Sequence, residues 1–187
     1  MMVRVATRDD VRSIMALESR YYVGNLEPSD RTHGFISVLH SQQWFEAAVD
    51  SGGVHVAATD DGTVGGFIAV LDPSTLSSAG SSPIIEEMLG LAATVEFDSQ
   101  PIAEQRFAFR GPVVIDRSVR GQGLYSTFNA VTRAAYAHRF DIGVLFVAAE
   151  NPQSLHTTTT KLGAQPLATF DVDSRRYHFL AYSLARA

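Results

Sequence analysis

The sequence predicts a mixed α/β fold of the α+β type: one mostly antiparallel sheet of about seven strands flanked by helices, with a long insertion between the third and fourth strands. Three observations carry this. Apolar runs on either side of Asp60-Asp61-Gly62 read as a hairpin, because Asp-Gly is a strong short-range turn signal. A strand, helix, strand order over Arg106 to Ala149 reads as a parallel crossover unit. Two further apolar runs close the chain as a second hairpin. With 45% apolar against 19% charged residues in a chain of 187, there is enough material for one core, so residues 1–187 read as a single domain.

In chain order, Val3 to Ala6 is a short strand. Thr7 with Asp10 three residues later is a capping box for a helix that turns Val11, Ile14 and Leu17 inward. Tyr21 to Thr32 is a loop, and the apolar spacing predicts a second helix from about His33 to Val49, packed by Trp44 and Phe45 and stopped at Gly52-Gly53. Val54 to Thr59 and Val64 to Leu71 form the first hairpin. Asp72 to Gln105 is the insertion, rich in Ser, Gly and Pro, with one helix capped by Ser82 and started by Pro83. Arg106 to Asp116 is a strand and Arg117 to Gly123 a loop, followed by a helix to about Phe140 with Leu124, Phe128, Val131 and Ala135 as its apolar stripe. Gly143 to Ala149 is a buried strand. Asn151 and Pro152 start a short helix that Gly163 stops, and Leu167 to Val172 with Tyr177 to Leu184 are the closing strands.

Composition excludes several classes. The longest apolar runs, Gly65 to Leu71 and Gly143 to Ala149, are far short of the roughly 18 residues of a membrane span. The first ten residues carry Asp9 and Asp10 and no apolar core, so no leader is expected and the default location is cytoplasmic. With no cysteine there is neither a disulfide nor a thiolate site. A net charge of -5 argues against a nucleic-acid grip. A Schiff-base mechanism would rest on Lys161, the only lysine. His33 and His40 lack a third ligand, so no metal site is expected, and they read as capping or surface residues.

Chemistry concentrates in Gly111-Pro-Val-Val-Ile-Asp-Arg-Ser-Val-Arg-Gly-Gln-Gly-Leu-Tyr-Ser126. A strand runs into Arg120-Gly121-Gln122-Gly123, and the next helix aims unpaired N–H groups and its positive dipole end at that loop. Such a loop suits a phosphate, or simply turns the chain from strand to helix. A dinucleotide-binding oxidoreductase wants a third glycine where Ser126 stands.

This segment resembles the acetyl-CoA signature of the GNAT superfamily, the Gcn5-related N-acetyltransferases: Arg120 and Gly123 match, while Tyr125 stands where Gly or Ala is expected. The order of elements is similar to that family's over nearly the whole chain. Asn151-Pro-Gln-Ser154 and Lys161-Leu-Gly163 are similar to its segment after the fifth strand, with about one residue more between them. The tyrosine that often protonates the leaving thiolate there is replaced by Thr157 to Thr160. The resemblance implies an acetyl-CoA-dependent N-acetyltransferase acting by direct attack on a primary amine, small-molecule or peptide. It implies that Val114 and Ile115 meet the pantetheine arm, that Arg120, Gly121, Gln122, Gly123, Leu124 and Tyr125 hold the pyrophosphate, and that Asn151 contacts the cofactor or only caps its helix. A homodimer paired through C-terminal edge strands also follows from it. A bound amine near pKa ~10 must lose a proton, and candidates for acid–base work are Glu96, His156 and Tyr125, with Glu18, Glu86, Glu87 and Asp98 as further carboxylates. Acids of the insertion would suit a cationic acceptor. The alternative is a catalytically degenerate CoA-binding protein of the same fold, a sensor or partner, for which Tyr125 and the threonine run speak.

Overall fold

The computed structural model describes residues 1–79 and 82–184 of the chain, so Gly80 and Ser81 of the expected insertion lie outside the described residues. The elements are β1 (Met2–Val5), α1 (Val11–Arg20), α2 (Gln42–Asp50), β2 (Val54–Ala58), β3 (Val64–Leu71), α3 (Pro73–Ala79), α4 (Pro83–Ala92), a small hairpin of β4 (Glu96–Phe97) and β5 (Gln100–Pro101), β6 (Phe107–Ile115), α5 (Leu124–Tyr136), β7 (Ile142–Ala148), α6 (Pro152–Thr157), β8 (Gln165–Val172) and β9 (Arg175–Ser183). Seven strands make one sheet in the order β1-β2-β3-β6-β7-β9-β8. Only β6 and β7 run parallel; every other neighbour pair is antiparallel.

Alternation along the strands builds a core on each face of this sheet. Phe67, Phe109 and Phe179 point to one face and pack with Ile14 of α1, Phe45 of α2 and Met88 of α4. Ile68, Leu145 and Leu180 point to the other and pack with Phe128 of α5. The first helix starts as its cap predicts. Asp10, 6% exposed, accepts bonds from the Thr7 backbone N–H at 2.7 Å and the Thr7 hydroxyl at 3.0 Å. Arg4 of β1 grips the same carboxylate at 2.7 and 2.9 Å.

Two expectations need correction. His33 ends a short 3-10 helix, Pro28–His33, residues 34–41 are not helical, and the second helix begins only at Gln42, where Ser41 accepts from the Trp44 N–H at 3.1 Å. Gly34 at φ +86° breaks any helix there, and the backbone of the segment bonds to distant elements instead: Ile36 N–H to Tyr21 carbonyl at 2.8 Å, and Val23 N–H to Ile36 carbonyl at 2.9 Å. The insertion holds two helices and a small hairpin rather than one helix. Asp72 caps the extra helix by accepting from Thr75 N–H at 2.9 Å, with Pro73 in its first turn. Elsewhere the expected strands are found with ends shifted by a residue or two, and α5 ends at Tyr136 rather than Phe140.

The Arg4 guanidinium and the Thr7 bonds hold the Asp10 carboxyl down at about 2, well below its usual 3.8. A carboxylate with a depressed folded-state pKa adds stability above its unfolded pKa and loses it as pH falls toward the folded value. Asp10→Asn is therefore expected to cost about 2 kcal/mol in urea unfolding at pH 7. The gap from wild type should narrow steadily between pH 5 and pH 2; a gap independent of pH would contradict the assignment.

Candidate active site

The site begins where two strands part. Strand β6 pairs with β7 only from Phe107 opposite Ile142 to Phe109 opposite Val144. Its register against β3 then slips, with Val70 opposite Arg110 but Ile68 opposite Val113, so β6 carries one extra residue at Gly111-Pro112. Pro112 has no N–H to give a ladder, and a Cβ on Gly111 would sit 3.2 Å from that of Ala69 and 3.6 Å from the Trp44 ring. Strand β7 stays paired with β9 through Ala148. A wedge opens between Gly111–Ile115 and Leu145–Ala148, and a cavity of about 720 Å³ fills it. Because its walls include Phe109 from one core and Leu124 from the other, the cavity threads the sheet from face to face.

Backbone alternation decides which groups face the wedge. Asp116 N–H bonds to the Gly65 carbonyl of the neighbouring chain at 2.8 Å, so two residues earlier Val114 also turns its N–H and C=O toward β3. Val113 and Ile115 turn theirs toward the gap. Of the two residues expected to offer backbone groups there, Ile115 turns its N–H to the gap and Val114 turns its own to β3, with Val113 in its place at the gap.

On the α5 face the loop Arg120 to Gly123 lies at the cavity, with Gly121 at φ +80° and Gly123 at φ +75°. These left-handed conformations favour glycine, and nothing lies within 4 Å of where a Cβ would be on either residue, so the surface above them is open. The first turn of α5, Leu124, Tyr125 and Ser126, lines the same wall and leaves its N–H groups without intrahelical partners. Gln122 is exposed and does not line the cavity. Arg120 donates from Nε to the Ile115 carbonyl at 3.0 Å and from a terminal nitrogen to the His33 carbonyl at 3.1 Å, over the Tyr21 ring at 5.2 Å. Arg110, Arg120 and Lys161 all line the cavity, whereas no Asp or Glu among the described residues does. Positive charge, open glycine backbone and free helix N–H groups together fit a phosphate-bearing ligand.

The segment 34–41 forms a strap across the opposite mouth. Asn151, 3% exposed, accepts from Ser154 N–H at 3.1 Å and donates to the Phe35 carbonyl at 2.8 Å, so one side chain both caps α6 and ties down the strap. Both ends of its amide are thus engaged within the protein. Downstream, residues 158–162 form a widened turn with the spacing of a single-residue helix insertion. That accounts for the extra residue before Leu162-Gly163. Thr159 and Thr160 return their hydroxyls to the His156 carbonyl at 3.1 and 2.6 Å.

Of the three acid–base candidates, Tyr125 lines the cavity, and neither Glu96 nor His156 does. Glu86, Glu87 and Asp98 are also absent from the wall. The structure brings a different pair to the site. Glu18 of α1, 1% exposed, accepts from the His40 backbone N–H at 3.0 Å and meets His40 Nδ1 at 2.6 Å. His40 lines the cavity and packs against Trp44 with ring centres 4.0 Å apart and planes tilted by 36°, and Trp44 abuts the bulge at Gly111. With Nδ1 turned to the Glu18 carboxylate, the neutral ring has its proton on Nδ1 and offers Nε2 as the acceptor. In the sequence Glu18 is one of many carboxylates and His40 reads as a capping or surface residue, because nothing local links positions 22 apart. Among the described residues no cluster could hold a metal ion.

No protein-family model and no curated protein matches the chain. Solved structures do. A GNAT-family acetyltransferase from Streptococcus agalactiae is 17% identical at a TM-score of 0.67, with 97% of this chain and 94% of that one covered. The ribosomal-protein-alanine N-acetyltransferase from Brucella melitensis is 16% identical at 0.61, covering 98% and 99%. The NatC complex bound to Gag peptide and CoA contains a chain 10% identical at 0.61, with 97% of each covered.

Asn151→Ala should free the strap and leave the Phe35 carbonyl and Ser154 N–H unpaired. The expected cost is about 2 kcal/mol in chemical unfolding, with faster amide exchange at Val23 and Ile36. Wild-type stability and exchange in the variant would show that the strap is held by other means.

Proposed function

Because the chain has the fold of the GNAT acetyltransferases, we propose that it is an acyltransferase that moves an acetyl group from acetyl-CoA to a primary amine by direct attack in a ternary complex. The observation that carries this reading is the cavity that threads the sheet where β6 and β7 part, with a phosphate-type cradle on one face and the Glu18–His40 pair on the other. One molecule reaching through the wedge would place its phosphates at Gly121 and Gly123 and its far end beside Gly111, Trp44 and His40. CoA supplies the acyl group as a thioester, activated toward amine attack.

The residues divide the work as follows. Gly121, Gly123 and the first turn of α5 offer N–H groups to the pyrophosphate, and the cationic wall offsets its charge. The N–H groups of Val113 and Ile115 face the wedge and polarise a carbonyl held there; one such donor is typically worth about 10²- to 10³-fold in rate. Arg120 braces the cradle through Ile115 and His33, and Asn151 holds the strap that carries His40. The acceptor attacks as the uncharged amine, and His40 Nε2 takes, directly or through a water, the one proton the nitrogen sheds as its bond to the acyl carbon forms and the bond from that carbon to sulfur breaks, while Glu18 fixes the ring and stabilises the imidazolium. Tyr125, whose ring lies 5.6 Å from the Arg110 guanidinium, borders the cavity and is the residue available to protonate the thiolate. A thiolate leaves acceptably without an acid, so loss of this hydroxyl should matter less than loss of His40.

His40→Gln is expected to lower kcat by about 10²- to 10⁴-fold while leaving the Kd for acetyl-CoA within twofold, read by thiol release and calorimetry. Glu18→Gln, acting through His40, should lose less. Equal activity in wild type and His40→Gln would remove the base assignment. Gly123→Val forces a β-branched residue into the left-handed region and should raise the Kd for CoA more than tenfold, above ~1.4 kcal/mol, in a protein whose circular dichroism is unchanged. Unaltered affinity would remove the cradle assignment.

A further inference from the structure

The insertion was expected to bring carboxylates to the acceptor, and its geometry does the opposite. Helix α4 turns Ile84, Ile85 and Met88 into the cavity, while Glu86 and Glu87 stand on its exposed side. Leu76 of α3 and Leu71 of β3 continue the same wall, and Trp44 closes it beside His40. All of these except Ile85 belong to the core on the His40 face of the sheet, and Ile85 packs against that core. The cations, by contrast, are carried by β6, the Arg120 loop and the turn after α6.

Resting on the acyl-transfer reading above, we infer that the acceptor is a small primary amine carried on an apolar body, an alkyl or aryl group seated between α4, Leu71 and Trp44. An additional positive charge there would be stripped of water with no carboxylate on the wall to replace it. The same apolar surroundings favour the uncharged amine, which is the nucleophilic form, so only the one proton that His40 receives has to leave. Size follows from the enclosure. About 720 Å³ is shared between the donor's arm and the acceptor, and the strap over the mouth is pinned through Phe35 by Asn151, through Ser37 by Arg175 and through His40 by Glu18.

The test is a thiol-release series with acetyl-CoA and linear amines from ethylamine to hexylamine, with 2-phenylethylamine, spermidine and a dipeptide amide with a polar first residue alongside. The expected result is kcat/KM rising about three- to fourfold per added CH₂ until the chamber is full, and 2-phenylethylamine at least tenfold better than spermidine. Ile85→Glu, at a half-buried position and checked for fold by circular dichroism, should flatten the chain-length slope and raise turnover of spermidine. A flat or falling slope in the wild type, or faster turnover of spermidine or the dipeptide, overturns the inference. If no amine is consumed, calorimetry of hexylamine and spermidine on the protein decides: tighter hexylamine binding supports the apolar chamber, and equal or reversed affinities overturn it. Binding of acetyl-CoA, measured separately, distinguishes failure of this inference from failure of the acyl-transfer reading.

Discussion

The parting of β6 from β7 is the constraint on which the rest of the site depends. A parallel pair that continued past Phe109 and Val144 would close the sheet and seal its two faces from each other. One extra residue at Gly111-Pro112, where a proline withholds its N–H, ends the ladder after three residue pairs. The sheet survives because each strand keeps its other neighbour: β6 stays on β3 and β7 stays on β9. The N–H groups of Val113 and Ile115 are thereby left facing a cavity, while Arg120 takes the Ile115 carbonyl. A broken ladder inside a sheet carries an energetic cost, and a ligand that takes up those hydrogen bonds repays it.

The two ends of the wedge solve different physical problems. The α5 face is suited to the anionic end of the proposed donor: glycines, helix N–H groups and cations line it, and no carboxylate among the described residues opposes them. On the other face the proposed reaction needs a proton taken up in apolar surroundings, and a buried carboxylate would provide for it at one remove: Glu18 stays off the cavity wall and meets the His40 ring that lines it. The strap that presents His40 has no helical or sheet ladder of its own. It is stable because Tyr21, Glu18, Asn151 and Arg175 each supply it with a hydrogen bond, and Arg120 holds the His33 carbonyl just before it.

Signals that are local in sequence could be read from it. The Asp-Gly hairpin, the Thr7–Asp10 start of α1, the parallel crossover and the glycine loop all depend on residues within a few positions of one another, and all are found. The fold class and the turn of the glycine loop into α5 were legible for that reason. The strap was not, because Phe35, Ile36, Val38 and Leu39 imitate a helical stripe while the groups that decide its conformation lie as far away as Asn151. His40 was misread for the same reason, its partner being 22 residues upstream. Helix α3 did carry a legible start, Asp72 before Pro73, that the Ser-rich composition obscured. The extra residue in the threonine run was visible as spacing, but only the widened turn gives it a structural meaning.

The most direct test of the central claim, that wedge-facing backbone groups receive the acyl donor, is residue-resolved amide exchange by NMR with and without saturating acetyl-CoA. Val114, bonded to β3, should exchange slowly in both states, while Val113 and Ile115 should exchange faster in the free protein and slow markedly on binding, together with Leu124 to Ser126. Unchanged exchange at Val113 and Ile115 in protein shown to bind acetyl-CoA would contradict the account.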